Sequence, residues 1–335
     1  MRKRIAFAMA TDQTRYVFDD ALLDRLAQSC DLLSRTPVDD FASPAAQAML
    51  RETDILVTGW GCPTISPELI ASAPNLRLIA HAAGTVKFLL DLTVFASGIR
   101  VTNAVDANAV PVAEFALAAI IFANKRVFEF QGLYRRDPTR RLSRALMDEP
   151  IGNYRRTVGI VGASRIGRRL IKLLAPLDYS VLLYDPFVRR DDELRAQVEL
   201  VELDQLFARS DVISLHAPSL PSTRAMVGRH QLGLMQNGAC LINTARGALI
   251  DEAALIAELE TGRISAVIDV THPEIPPPGS PLYSLPNVFL TPHIAGAIGT
   301  ERLRLGELIV DEIDRFVAGE PMLFEVEPAL LERLA

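Results

Sequence analysis

Three short stretches of this 335-residue chain carry side chains suited to proton transfer on an anionic substrate. "LINTARGALID" contains Arg246, "AVIDVTHPEIP" contains Asp269 and Glu274, and "VFLTPHIAG" contains His293. A guanidinium binds a planar carboxylate through two parallel hydrogen bonds. An imidazole titrates near neutrality and passes protons to and from a reacting oxygen. A carboxylate beside the imidazole stabilises its protonated form. Hydride reduction of a 2-keto acid needs these three functions together. Each residue alone has a plainer reading, as a surface arginine, a strand-end histidine or a solvated glutamate. His272 beside Asp269 and Glu274 raises a metal site, but the odd spacing and the lack of further ligands argue against any metal.

A fourth stretch, "RRTVGIVGASRIGRRLIKLL" (Arg155–Leu174), reads as strand, tight turn and helix. The turn approaches the G-x-G-x-x-G pattern that cradles a dinucleotide pyrophosphate at a helix N-terminus. Gly162 and Gly167 hold the outer positions, Ser164 replaces the middle glycine, and Arg165 and Ile166 complete the turn. Asp185, in "VLLYDP", follows Gly167 by 18 residues, where an acidic residue binds the ribose diol. Its charge favours NAD over NADP. Arg189 and Arg190 stand nearby and read as solvated. The serine is harmful only if its φ must be positive or its Cβ clashes, and its hydroxyl can donate to a phosphate oxygen.

The elements that must position these groups alternate between strand and helix. Strands are expected at Arg4–Met9, Ile55–Thr58, Leu76–Ala80 and Arg100–Asn103. Helices are expected between them at Asp20–Gln28, Pro44–Glu52 and Pro67–Ala73. Val110–Phe130 is Ala-rich and nearly all apolar, and reads as one long buried helix between domains or subunits. Tyr134–Arg144 follows as an arginine-rich loop. From Thr157 six further β-rich runs appear, separated by helices at Ile166–Ala175, Asp204–Arg209 and Asp251–Thr261, and a last helix spans Gly299–Ala318. Such alternation predicts an α/β fold with parallel sheets covered on both faces. Six strands opening on a Gly-rich turn imply a Rossmann-type doubly wound domain, expected over 107–298. A smaller flavodoxin-like α/β domain is expected from both chain ends, 1–106 and 299–335, with a cleft between the two.

The formal net charge of -6 argues against a nucleic-acid surface. Cys30, Cys62 and Cys240 lie far apart without a CxxC pair, which fits a reducing compartment and no zinc. Cys62 falls in a loop and reads as an ordinary free thiol. The first apolar run is too short for a secretion signal, and no run reads as a membrane span, so a cytoplasmic protein is expected.

Taken together, "VGIVGASRIGR", "YDP", "LHAPSLPSTR", "INTARGALIDEAAL", "IDVTHPE" and "LPNVFLTPHIAG" resemble the D-isomer-specific 2-hydroxyacid dehydrogenases, from about Ile55 to Val326. The resemblance implies an NAD-dependent enzyme that reversibly reduces a small 2-keto acid of the glyoxylate or hydroxypyruvate type, working as a homodimer. It implies Arg246 as the substrate-binding arginine, Glu274 as the carboxylate partner and His293 as the acid/base. Cofactor contacts are implied near His216, Ala217, Pro218, Thr223, Thr244, Ala245, Arg246, Asp269, His293 and Gly296, with Asp269 towards the nicotinamide amide. Amides of Ala83, Gly84 and Thr85 are implied as carboxylate donors. The chain departs from the family pattern at Ser164, at Ile275 after the glutamate, and at Lys87 and Phe88 in the first-domain loop. Trp60 and His81, at strand ends of the first domain, are left between a cleft role and plain packing. Alternatives on the same fold are a 3-phosphoglycerate dehydrogenase-type enzyme and a non-catalytic, NAD-sensing or corepressor-like binder.

Overall fold

Short β-branched runs form the strands because both faces of each sheet are covered, so no alternating polar face is needed. The computed structural model describes residues 2–87, 89–91, 93–137, 149, 151–189 and 191–329. The chain divides into two units, Met1–Asn108 with Ala297–Ala335, and Ala109–Gly296.

The first unit holds a five-stranded sheet in the order β2-β1-β3-β4-β5. Its strands are β1 (Lys3–Ala8), β2 (Cys30–Leu32), β3 (Ile55–Thr58), β4 (Leu78–His81) and β5 (Arg100–Asn103). All pairs are parallel, with Ile5 opposite Ile55, Ile55 opposite Leu78 and Leu78 opposite Arg100. Helices α1 (Thr11–Val17), α2 (Asp20–Ser29), α3 (Pro44–Leu50), α4 (Pro67–Ser72) and α5 (Thr93–Ala96) connect them. Asp19, Ser43 and Ser66 cap α2, α3 and α4 by accepting from first-turn amides. Three of these elements escape a reading of the sequence pattern. β2 has three residues and α5 four, and "TDQTRYV" of α1 lacks an apolar period. α1 is held instead by packing, with Val17 in one core cluster with Leu305 and Ile309.

The second unit holds a seven-stranded parallel sheet in the order β12-β11-β10-β9-β6-β7-β8. The strands are β6 (Arg156–Val161), β7 (Tyr179–Tyr184), β8 (Glu199–Leu200), β9 (Val212–Leu215), β10 (Cys240–Asn243), β11 (Ser265–Ile268) and β12 (Val288–Leu290). The two-residue edge strand β8 adds a seventh to the six expected. Sequence neighbours pair outward from β6 on both sides, so the strand order reverses between β6 and β9. Ligands of doubly wound sheets bind at such a reversal, beyond the carboxyl ends of the strands.

Val110–Phe130 is not one helix. α6 (Val105–Asn124) ends before Lys125–Arg126, and α7 (Val127–Arg136) follows. Arg126 adopts a left-handed φ of 50°. Its guanidinium donates to the Glu129 and Glu149 carboxylates, which hold the break in place. α6 is long and apolar enough to cross a membrane by length and composition alone. However, Ala113, Ala116, Ala119 and Ile120 are buried in one cluster with Ile160, Leu170 and Ile242, so from Ala109 onwards it is a core helix of the second unit. The rest of the Tyr134–Arg144 stretch, beyond Asp137, lies outside the described residues.

The remaining helices are α8 (Arg165–Leu174), α9 (Leu203–Arg209), α10 (Arg229–Leu234), α11 (Glu252–Glu260) and α12 (Leu303–Ala318). The expected closing helix thus begins with a separate 3-10 turn, Gly299–Arg302. α12 returns the chain to the first unit through a buried carboxylate. Glu312 accepts from the Leu323 and Phe324 amides and from the Thr102 hydroxyl on β5. With three donors, its burial leaves no unmet acceptor at either oxygen.

Candidate active site

Every site residue expected in the second unit stands just beyond a strand end of its one parallel sheet, or in the loop or first helical turn that follows. Gly162 to Gly167 follow β6, and Asp185 follows β7. His216, Ala217, Pro218 and Thr223 follow β9, and Thr244, Ala245 and Arg246 follow β10. Asp269 and Glu274 follow β11, and His293 and Gly296 follow β12. Ala83, Gly84 and Thr85 follow β4 in the first unit.

Three loops converge on the His293–Glu274 pair. His293 Nδ1 lies 2.5 Å from Glu274 Oε1, and both side chains are about half exposed. A carboxylate accepts, so Nδ1 carries the proton in this pair. Nε2 makes no hydrogen bond among the described residues. His293 has a φ of 55°, left-handed backbone that a non-glycine residue holds only when its surroundings enforce it. Asp269 enforces it. Its backbone carbonyl accepts from His293 N at 2.9 Å. Its buried carboxylate accepts from Thr291 Oγ1, Ile294 N and Ala295 N at 2.6, 2.8 and 2.9 Å. Thus Asp269 spends most of its acceptor capacity on the His293 loop, with one further position open on Oδ2.

Arg246 is set by a second brace that sequence reasoning did not find. Buried Asn243 donates from Nδ2 to Arg246 O at 3.0 Å and accepts from Ala245 N at 3.1 Å. The signal was present in "INTARG", since asparagine often bonds to backbone two or three residues on. Arg246 Nη1 donates to Ala245 O at 2.6 Å, while Nε and Nη2 have no partner among the described residues. That leaves one edge of the guanidinium for a carboxylate. Burial pushes its pKa down from the ordinary value, and the negative charge of Glu274 opposes that shift. The two loops meet through Gly247. A Cβ there would lie 2.1 Å from Thr271 C and 2.5 Å from His272 N, so no other residue permits the approach. The Thr271 hydroxyl donates to Glu274 O at 2.9 Å and closes the turn.

The opposite half of the sheet end forms a cradle. Gly162 has a φ of 100°, and a Cβ there would lie 2.6 Å from Ala217 N. Gly167 packs its open face onto the Gly162 carbonyl, 2.1 Å from where a Cβ would sit. Ser164 is extended, with φ -64° and ψ 178°, so its side chain costs nothing there. It caps α8 instead, with Oγ accepting from Gly167 N at 3.3 Å. The hydroxyl proton remains available to an anion. Asp185 accepts from Ala163 N and Phe187 N, each at 2.7 Å, and so stands against the Gly-rich loop in the register expected. Arg189 pairs with Asp191 at 3.5 Å, and Arg190 lies outside the described residues. Thr223 Oγ1 donates to Pro218 O at 2.6 Å and shapes the loop after β9.

Two polar atoms at this end of the sheet are buried without a partner, His216 Nδ1 and Thr244 Oγ1. Buried polar atoms rarely stay unpaired, so a polar ligand fits here. His216 Nε2 bonds Ser214 Oγ at 2.8 Å, and burial drives the imidazole pKa down to about 3, so the ring is neutral. These residues fit a bound dinucleotide. Burial pushes the Cys62 thiol up to about 12. Phe88 lies outside the described residues.

Residues 117–295, more than half of the chain, match the family described as D-isomer specific 2-hydroxyacid dehydrogenase, NAD binding domain. The chain belongs to this family, and NAD is its cofactor. A glyoxylate reductase of Korarchaeum cryptofilum is 34% identical over 84% of this chain and 86% of its own length. A D-3-phosphoglycerate dehydrogenase of Archaeoglobus fulgidus is 32% identical over 80% of this chain. The chain spans about half the length of that relative, 51%. A solved structure of a D-lactate dehydrogenase from Treponema pallidum superposes with a TM-score of 0.75 at 25% identity, over 98% of this chain and 100% of that one.

Proposed function

We propose that this chain is an NAD-dependent oxidoreductase that reversibly reduces a small 2-keto acid to a D-2-hydroxy acid, with glyoxylate or hydroxypyruvate as the substrate type. The observation that carries this reading is the Glu274–His293 pair with its open Nε2, beside an Arg246 whose Nε and Nη2 are unpaired. When bound, the reduced nicotinamide supplies the hydride. His293 holds a proton on Nε2 for the keto oxygen. Glu274 steadies the positive imidazole and fixes which nitrogen faces the substrate. Arg246 grips the carboxylate through its free edge. Ala83, Gly84 and Thr85 are proposed as further amide donors to a carboxylate. Asp185 is the proposed ribose partner, and Gly162 to Gly167 the proposed pyrophosphate cradle. His216, Ala217, Pro218, Thr223, Thr244, Ala245 and Gly296 are proposed cofactor contacts.

The substrate type is supported by relatives named glyoxylate reductase and, in Methylorubrum extorquens, glycerate dehydrogenase, the latter 34% identical over 76% of this chain and 80% of its own length. A homodimer is proposed through the outer face of α6, where Phe122 is 46% exposed and packs edge-on against Phe128. A cytoplasmic location is proposed from three free thiols. The test is NADH-dependent turnover of a keto-acid panel by Arg246→Ala and His293→Ala. Each is expected to lose at least about a hundredfold in kcat/KM, the usual scale of general acid–base catalysis. Unchanged turnover in both variants refutes the assignment.

A further inference from the structure

The strongest feature outside that site is a cluster of hydrogen-bond donors in the first unit, beyond the carboxyl ends of β1 and β3. The turn after β3 is tied to the end of β1 by a bond from Ala10 N to Trp60 O at 2.9 Å. α1 starts from the same point. In this sheet order, β1 and β3 flank the reversal where open α/β sheets take ligands. Arg302, from the turn before α12, reaches into this corner. Its guanidinium carbon stands over the Tyr16 ring at 5.4 Å and over the Trp60 ring at 5.6 Å.

The two rings orient the guanidinium without neutralising it. Nη1 donates to Gln13 Oε1 at 2.6 Å. Nε is buried with no partner among the described residues. Nη2 makes no hydrogen bond among the described residues, and it is not one of the sealed atoms. Arg15 stands on the same Tyr16 ring at 4.8 Å and donates to its phenol oxygen at 2.8 Å. The phenol proton is therefore free to point outward. Among the described residues neither arginine forms an ion pair. Asp12, the acidic residue of α1, accepts from Gln13 Nε2. Trp60 and Tyr16 remain 37% and 40% exposed, so the corner is open to solvent. Two guanidinium groups without an ion pair among the described residues and a phenol O–H form an array of donors.

We propose that this corner is an oxyanion-binding site, taking a carboxylate or phosphate group against Arg302 and Arg15. An anion supplies the acceptors that the array lacks, and the guanidinium fork matches both groups. The source is a free anionic metabolite bearing either group, and the site stands whether or not the chain is a dehydrogenase.

Trp60 is the sole tryptophan, so intrinsic fluorescence of the full chain reports on this corner. The probes are inorganic phosphate and malonate, an unreactive dicarboxylate, with sodium chloride at matched ionic strength. Either probe is expected to give a saturable change that chloride does not. Arg302→Gln should shift the midpoint at least about tenfold, the scale of one charge-assisted hydrogen bond. Arg302→Lys and Arg15→Gln should weaken it less, and they carry the test if Arg302→Gln fails to fold. No saturable change with either probe, or equal midpoints in wild type and all three variants, overturns the proposal.

Discussion

Replacing Gly247 by alanine tests whether close approach of the Arg246 and Glu274 loops is what assembles the site. The added Cβ would lie 2.1 and 2.3 Å from the Thr271 carbonyl carbon and oxygen and 2.5 Å from His272 N. These are backbone atoms, so no rotamer change relieves the contact. One loop must retreat by roughly 1 Å to restore van der Waals distance, and overpacking of that kind costs about 1–3 kcal/mol. Arg246 precedes the substituted residue, and Glu274 follows the displaced segment, so the retreat pulls the two apart. A misplacement of about 1 Å between reacting groups costs about a hundredfold in rate. The expected result is a fall of about a hundredfold in kcat/KM with NADH and glyoxylate, with a lowered melting temperature. The Ser164 cradle lies elsewhere along the sheet end, so NADH affinity, read by fluorescence titration, should change less than about threefold. Wild-type turnover, or collapse of NADH binding with turnover intact, would refute the claim that Gly247 sets the Arg246–Glu274 geometry.

Two further outcomes are expected. Ser164→Ala removes the cap of α8 and should destabilise the protein by about 1 kcal/mol, whereas Ser164→Gly should cost only a few tenths. NAD affinity should fall less than about tenfold in both, since one hydroxyl donor is lost, and thermal melts with and without NAD separate the two effects. His216 is neutral when folded, its pKa lowered by burial to about 3, but protonates near 6.5 when unfolded. The unfolded chain therefore takes up the proton first as pH falls. Above pH 6.5 the residue is silent, and below it stability drops by about 1.4 kcal/mol per pH unit until the folded pKa is reached. Denaturant titrations between pH 7 and 4.5 should show a shallower acid loss in His216→Asn, and an identical slope would refute the buried neutral state. His81 in the first unit, also lowered by burial, to about 4, adds a separate contribution of the same sign.

Much of this architecture was legible in the chain because local rules agree with the fold. Ile55–Thr58 and Arg100–Asn103 are strands as read, since short β-branched runs bounded by turn residues have few other uses in a doubly wound protein. Asp251 precedes α11 and caps it, whereas the cap that Ser164 gives α8 emerges only in the structure. Asp185 stands against the Gly-rich loop at the count expected, because a βαβ unit has a nearly constant length. Elements held by distant packing were not legible. α1 lacks an apolar period, β8 is two residues long, and the break at Arg126 depends on Glu149, more than twenty residues on.

For the candidate site the division is sharper. The types of the proposed catalytic side chains, and the strand ends they follow, are written in "NTARG", "THPE" and "TPHIAG". The sequence by itself determined that an arginine, a glutamate and a histidine stand beyond neighbouring strands of one parallel sheet. Only the tertiary structure decided which atoms remain free. Asp269 takes three donors to hold His293 in left-handed backbone, Glu274 occupies Nδ1 and leaves Nε2, and Ala245 occupies one nitrogen of Arg246 and leaves an edge. The pairing of Arg302 with Tyr16 and Trp60 was likewise invisible, because these residues are brought together from opposite ends of the chain. Periodicity and motif spacing report on neighbours within one supersecondary unit. Hydrogen-bond partners across loops depend on sheet order and packing, which a single sequence does not print.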